Sequence, residues 1–401
     1  MKVVQVNVDL RGSIGKINLA VSKLLTETGI ENYIVYALGP SSAGVMIKYS
    51  NLFEEKISAL FSRVFGNSGF NSTFATFKLI KVLDKIKPDI VHLHNLHSHN
   101  VNLTMLFNYL KNKEIKVFWT FHDCWAFTGY CTHYSMISCL NWMNECGNCP
   151  QYKKYSWFFD KSTKQINKKI AAMHDADLTI ITPSKWLANE VKKSAIKDKS
   201  VVVINNGIDL NTFFPRTGFN PKLDINLNKY VVLGVAYKWT FEKGVDVFIK
   251  MASDLSDKFQ IVLVGTDEDT EKMLPSNIVS IHRTKDQNEL AELYSRADVF
   301  VNPTREDTYP TVNLEALACG TPIVSFNTGG CPETFDDTCG ILIEKEDYSS
   351  MVNAVRYICE QKPFSQESCL SRVYHNSDYN CFKEYIDLYM HNSVCKENDE
   401  N

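Results

Sequence analysis

Short β-branched runs alternate with amphipathic stretches along this chain, and the alternation stops once and starts again. Runs at 3–8, 33–37, 90–93, 117–120, 178–181 and 201–204 have the apolar density of strands buried on both faces. Helical patterns over 17–26, 74–86 and 185–193 lie between them. Such a succession predicts an α/β fold, a parallel sheet with crossover helices. The pattern breaks at Asn205-Asn206-Gly207-Ile208-Asp209 and Phe213-Phe214-Pro215, and a polar run over 216–228 follows. This is turn and linker chemistry. Strands are expected again at 230–235, 260–264, 299–302 and 322–325, with helices at 244–255, 287–295, 311–318 and 348–360. Two Rossmann-like, doubly wound domains are therefore expected, 1–208 and 209–378, facing each other across a cleft. A last helical pattern at 379–390 exceeds what the second sheet needs. It is expected to cross back to the first domain, with 379–401 as helix and tail.

With 401 residues the chain is long enough for two domains. Hydrophobic residues make up 44% and charged residues 22%, a balance of globular proteins in water. A net charge of -3 gives no global attraction to nucleic acid, so none is expected as a partner. No apolar stretch approaches the ~20 residues of a spanning helix. The first residues read as a strand rather than a signal peptide, which places the protein in the cytoplasm.

Residues 309–322 are the chemically richest stretch. Glu306 and Asp307 stand just before a helix start, and Glu315 lies inside that helix. Acids at a strand-to-helix turn can grip hydroxyls, and a helix N-terminus favours phosphate. A sugar nucleotide carries both groups. Ligands of doubly wound sheets sit at the C-terminal ends of the strands, and other candidates fall at such ends. Gly12 and Gly15 follow the first strand, where they would let backbone N–H groups approach a diphosphate or would simply make a tight turn. Lys238 and Lys243 flank the loop that ends at Gly244, as a diphosphate clamp or as solvated surface lysines. His122 follows the strand at 117–120 and could bond a sugar hydroxyl, carry a proton, or be a core or capping histidine. His92, His94, His97 and His99 have a metal-site composition. Strand alternation instead puts His92 and His94 on one face, packed or loop-exposed.

Together these residues resemble the family 4 retaining glycosyltransferases, which have the GT-B fold. The likeness runs over nearly the whole chain and is strongest at 204–215 and 230–333. In the family's G-R-x-x-x-x-K-G pattern, Tyr237 and Lys238 stand for the glycine and arginine, while Lys243 and Gly244 match. A lysine lacks the planar two-point fork of arginine. Asp307-x7-Glu315 fits the family's pair of acids, with Asp for the first Glu and Glu306 one position away. The resemblance implies that the first acid meets the donor sugar, that Glu315 meets the ribose, and that His122 lies near the transferred sugar. It also implies that Thr328-Gly329-Gly330-Cys331-Pro332-Glu333 is a glycine turn, that Gly12 and Gly15 form an imperfect glycine loop, and that the segment at Arg283 holds the base.

The activity so implied moves a sugar from a nucleotide diphosphate, a UDP-sugar by resemblance, to an acceptor hydroxyl with retention. The acceptor class implied is a saccharide or a polyprenyl-diphosphate-linked one, in cell-surface polysaccharide or capsule assembly. Lysines and helix N-termini would stabilise the leaving diphosphate, so no cofactor is required for catalysis. The departing phosphate would take the acceptor proton. Two other readings stand beside it. One is a sugar-nucleotide epimerase of GT-B architecture. The other is a non-catalytic nucleotide-sugar binding module, suggested by the departures at Tyr237 and Lys238.

Two features remain. Cys124, Cys131, Cys139, Cys146 and Cys149 crowd an insert at 124–150. The Cys146-Gly147-Asn148-Cys149 step has zinc-knuckle spacing, and Cys131 and Cys139 would complete four thiolates of a structural zinc site. The first pair is spaced too widely for a standard double knuckle. Free packed thiols are the next reading, and disulfides the last in a reducing compartment. Phe53, Phe61, Phe65, Phe70, Phe74 and Phe77, with Lys56 and Arg63 among them, could make peripheral contact with the inner face of a membrane. Covering the core of the first domain is the favoured reading of that run.

Overall fold

Thirteen strands form among the described residues, and all of them lie in two parallel sheets. The computed structural model describes residues 1–97, 99–217, 225–226 and 228–399, with side chains through residue 392. Most of the expected linker at 216–228 lies outside the described residues. Packing divides the chain into two units: residues 1–205 with 382–401, and residues 206–381.

The first unit holds β1 (Lys2–Asp9), β2 (Glu31–Leu38), β3 (Met46–Lys48), β4 (Ile90–Leu93), β5 (Lys116–Thr120), β6 (Leu178–Thr182) and β7 (Ser200–Val203). Their order is β3-β2-β1-β4-β5-β6-β7. Val6 pairs with Val35 on one side and Leu93 on the other, so β1 is central, and it is buried on both faces. Its polar side chains bond locally, although Asn7 Oδ1 has no partner among the described residues. Buried Asn18, on the helix Ser13–Glu27, bonds both Gln5 and Asn7. The last helix, Asp378–Asp399, brings Phe382, Tyr385 and Tyr389 into this unit's core. Tyr389 Oη lies 2.5 Å from His92 Nδ1. The crossing helix expected at 379–390 is thus present and longer.

The second unit holds β8 (Tyr230–Val235), β9 (Phe259–Val264), β10 (Ile278–Ile281), β11 (Val299–Asn302), β12 (Ile323–Phe326) and β13 (Gly340–Ile343). They lie in the order β10-β9-β8-β11-β12-β13. Leu233 packs into the core on one face of this sheet, and Val232 into the core on the other, with Phe248 and Met251. Strand order reverses beside the first strand in both units. That switch point opens the crevice where doubly wound sheets bind ligands.

The phenylalanine run departs from the favoured expectation. Phe70 is buried, but Phe53, Phe61, Phe65, Phe74 and Phe77 are exposed. The helix Leu52–Phe65 buries serines instead of its apolar stripe. Among the described residues no helix is long and apolar enough to cross a membrane.

Candidate active site

In the second unit, β8 ends in the loop that carries Lys238 and Lys243. Gly244 closes this loop with φ 79° and leads into the helix Val245–Asp254. A Cβ on Gly244 would stand 2.5 Å from the Pro303 carbonyl oxygen, so only glycine lets this loop meet the one after β11. That contact brings Lys243 to the acids. Lys243 Nζ lies 2.8 Å from Asp307 Oδ2. Burial opposes its charge, but Asp307 and then Glu306 hold the ammonium above its ordinary pKa. Lys238 sits apart and exposed, 3.3 Å from Asp267 Oδ2. Bonds from Thr270, and then from Lys238, hold the Asp267 carboxyl at about 2.

The helix Thr311–Ala318 begins after Pro310 and carries Glu315, whose Oε2 accepts from Tyr294 Oη at 2.9 Å. Asp307 accepts from the Tyr309 amide. Its carbonyl accepts from the Gly330 amide at 3.2 Å, and a Cβ on Gly329 would stand 1.9 Å from that same oxygen. The Thr328-Gly329-Gly330 turn is therefore pressed against the first acid. Thr328 Oγ1 is buried there and has no hydrogen-bond partner among the described residues. Arg283 follows β10 and stacks its guanidinium 4.5 Å from the Tyr237 ring. Beyond the strand ends of one sheet, then, Lys243, Glu306 and Asp307 come together, Glu315 is tethered to Tyr294, and Lys238 and Arg283 lie on neighbouring loops.

Arg305 escaped the sequence reading. Its side chain is 2% exposed. It donates to both oxygens of Asp246, both of Glu346, and the Phe241 carbonyl. These bonds fix the Lys243 loop to the segment bearing Asp307. Tyr294 escaped as well. An arginine beside two acids after a strand was the available signal for Arg305; nothing local marked Tyr294.

In the first unit, Gly12 has φ 108° and stands at the start of the helix Ser13–Glu27. Gly15 lies against the strand end, where a Cβ would meet the Leu10 carbonyl oxygen at 2.0 Å. His122 follows β5, and its Nε2 lies 3.2 Å from His94 Nδ1. One nitrogen donates and the other accepts, which two neutral rings in complementary tautomers can do. Burial takes His94 well below its ordinary pKa and His122 to about 4. Below them His92 joins Thr120 Oγ1 to Tyr389 Oη. His97 pairs with Asp123 at 3.1 Å, which overrides burial and raises its pKa. The histidines thus form bonded pairs with different partners.

The insert's five cysteines are all free thiols. The Cys131 thiol donates to the Cys149 sulfur, raising the first pKa and lowering the second. Cys146 Sγ accepts from the Gly129 amide at 3.2 Å. Lys169, buried beneath, donates to the carbonyls of Trp125, Thr128 and Gly129. Among the described residues, no three His, Cys, Asp or Glu side chains converge closely enough to hold a metal ion. The thiols are gathered here without forming a closed ligand set.

Residues 229–361 match the family described as Glycosyl transferases group 1, and residues 20–212 match Glycosyltransferase Family 4. A putative colanic acid biosynthesis glycosyl transferase of Escherichia coli (strain K12) is 23% identical over 97% of this chain and 99% of its own. An N,N'-diacetylbacillosaminyl-diphospho-undecaprenol alpha-1,3-N-acetylgalactosaminyltransferase of Campylobacter jejuni is 31% identical. That match takes in 37% of this chain and 42% of the relative. Among solved structures, Anabaena HepE in complex with UDP-glucose superposes with TM-score 0.69 at 13% identity. It covers 98% of this chain and 100% of its own.

Proposed function

This chain belongs to the family 4 glycosyltransferases of GT-B fold, and from that premise we propose that it moves a sugar, with retention, from a UDP-sugar to a saccharide or lipid-linked acceptor in cell-surface polysaccharide assembly. The observation that carries this reading is the meeting of Lys243, Glu306 and Asp307 beyond the strand ends of one parallel sheet, with Glu315 on the helix that follows the same acids. Names among the similar proteins add support. One is a sugar transferase whose acceptor is diphospho-undecaprenol-linked, and one binds UDP-glucose.

In this reading Glu315 accepts the ribose hydroxyls, held in place by Tyr294. Lys243 stabilises charge as the diphosphate departs, assisted by Lys238 and the Gly244 helix start. Asp307 keeps Lys243 charged and aimed until a diphosphate takes its place as partner. Asp307 and Glu306 then meet the hydroxyls of the donor sugar. His122, neutral at pH 7, donates or accepts a hydrogen bond at a sugar hydroxyl and moves no proton to completion. The departing phosphate takes the acceptor proton. Arg283 and its segment border the base, and the turn of Gly12 and Gly15 in the first unit lets backbone N–H groups approach a phosphate.

Donor-induced thermal stabilisation tests the reading, because a ligand bound only by the folded state raises the melting temperature. A UDP-sugar should stabilise the protein, and Glu315→Ala should abolish that shift. Tyr294→Phe should leave a reduced one. An undiminished shift in the alanine variant would remove Glu315 from the ribose.

A structural zinc on Cys131, Cys139, Cys146 and Cys149 is a separate proposal that rests on the knuckle spacing alone, since the thiols as placed do not converge into a ligand set. Metal analysis of purified, fully folded protein should return about one zinc per chain. A zinc-free, fully folded preparation ends that proposal.

A further inference from the structure

The helix Leu52–Phe65 is packed inside out. Its buried residues are Ser58 and Ser62. Ser58 Oγ meets Ser72 Oγ at 2.6 Å, and Ser62 Oγ lies 3.1 Å from His99 Nδ1 and 3.2 Å from Asn71 Nδ2. Hydroxyls thus bind the helix to its unit. The stripe Phe53, Ile57, Leu60 and Phe61, extended by Leu52 and Phe65, is left in solvent, with Phe53 72% exposed. A helix normally turns such a stripe inward, and contiguous apolar surface of this kind marks an interaction site.

A second apolar element adjoins its C-terminal end. The Trp157 amide donates to the Arg63 carbonyl at 2.7 Å, and Arg63 Nη1 donates to the Lys154 carbonyl. Trp157, Phe158 and Phe159 are each more than half exposed. Lysines flank them. Lys153 and Lys154 precede, while Lys161, Lys164 and Lys168 line an open cavity of ≈ 570 Å³ just beyond. Only Asp160 opposes these five within 153–168. In a chain of net charge -3 this is a local concentration of positive charge.

We propose that the helix Leu52–Phe65 and the Trp157–Phe159 segment form one docking surface for a bilayer carrying anionic lipid headgroups. The aromatic side chains enter the interfacial region, and the lysines of the cavity hold headgroup phosphates. Aromatic residues backed by a basic rim suit the boundary between acyl chains and charged headgroups. A second copy of the chain suits the surface poorly, since an isologous contact would set the lysine rim against itself. This inference does not rest on the transfer reading, because docking is measured without donor or acceptor.

The test is flotation of the full chain with phosphatidylcholine vesicles, with and without about one-third phosphatidylglycerol. Binding is expected to the anionic vesicles and to weaken as salt is raised. The variant Phe53→Ser/Phe61→Ser/Trp157→Ser should lose roughly 100-fold or more in partitioning. Its melting temperature and UDP-sugar stabilisation should be unchanged, since these side chains are largely solvent-exposed in the free protein. Lys153→Gln/Lys154→Gln/Lys161→Gln/Lys164→Gln should lose roughly tenfold or more on anionic vesicles only. Failure to bind either vesicle overturns the proposal. So does a concentration-dependent dimer that the triple serine variant abolishes, which would assign the surface to a second copy.

Discussion

In the proposed reading, Lys243 is a side chain held ready for a charge that arrives only with substrate. Its ammonium is held by Asp307 at 2.8 Å and kept protonated by the surrounding acids. Lys243→Ala should lower kcat by about 10²–10³-fold, the scale of losing one aimed electrostatic contact. A wild-type-like circular dichroism spectrum would confirm that the loss is local, and an unchanged kcat would exclude the lysine from leaving-group stabilisation. The residues of this site divide by how far their partners lie in sequence. Lys243, Asp307 and Glu315 were legible because a loop, a strand end and a short spacing marked them. Arg305 and Tyr294 were not, because their meaning comes from Asp246, Glu346 and Glu315, dozens of positions away or on another helix. A sequence displays an arginine; only the fold shows that it fastens two loops.

At the scale of elements, close approach governs the glycine turns that follow β1 and β8. Gly15 is needed because the helix Ser13–Glu27 starts hard against the end of β1. Gly15→Ala should cost about 2–3 kcal/mol, since the atom it would strike is backbone and cannot swing aside. Denaturant unfolding followed by tryptophan fluorescence would show it, and an unchanged midpoint would mean the helix can shift freely. Most central strands were legible, because a strand covered on both faces reads as an unbroken apolar run. The short edge strands β3, β10 and β13 were not, each being three or four residues with incomplete burial. The helix Leu52–Phe65 misled for another reason. Its periodicity reports that a stripe exists, and says nothing about which side of the stripe the protein occupies.

At the scale of the whole molecule, stability should depend on pH through the buried histidines of the first unit. Burial, helped by nearby His122, takes His92 from 6.5 to about 3, and His94 moves the same way. Between those values the unfolded chain binds protons that the folded chain refuses, so stability falls as pH drops below 6.5. His92 alone should remove about 2 kcal/mol between pH 7 and pH 5. His97 works in the opposite direction, since its raised pKa favours the folded state at low pH. Denaturation midpoints at the two pH values, compared with those of His97→Gln, would separate the two contributions, and equal midpoints in that variant would contradict neutral burial of His92. That histidine is capped by Tyr389, which the chain supplies only near its end. A ribosome must therefore complete the second unit before the first can close its own interior. During synthesis the order of maturation runs against the order of the genetic message, and a nascent chain halted anywhere in the second unit would leave the first without its cover.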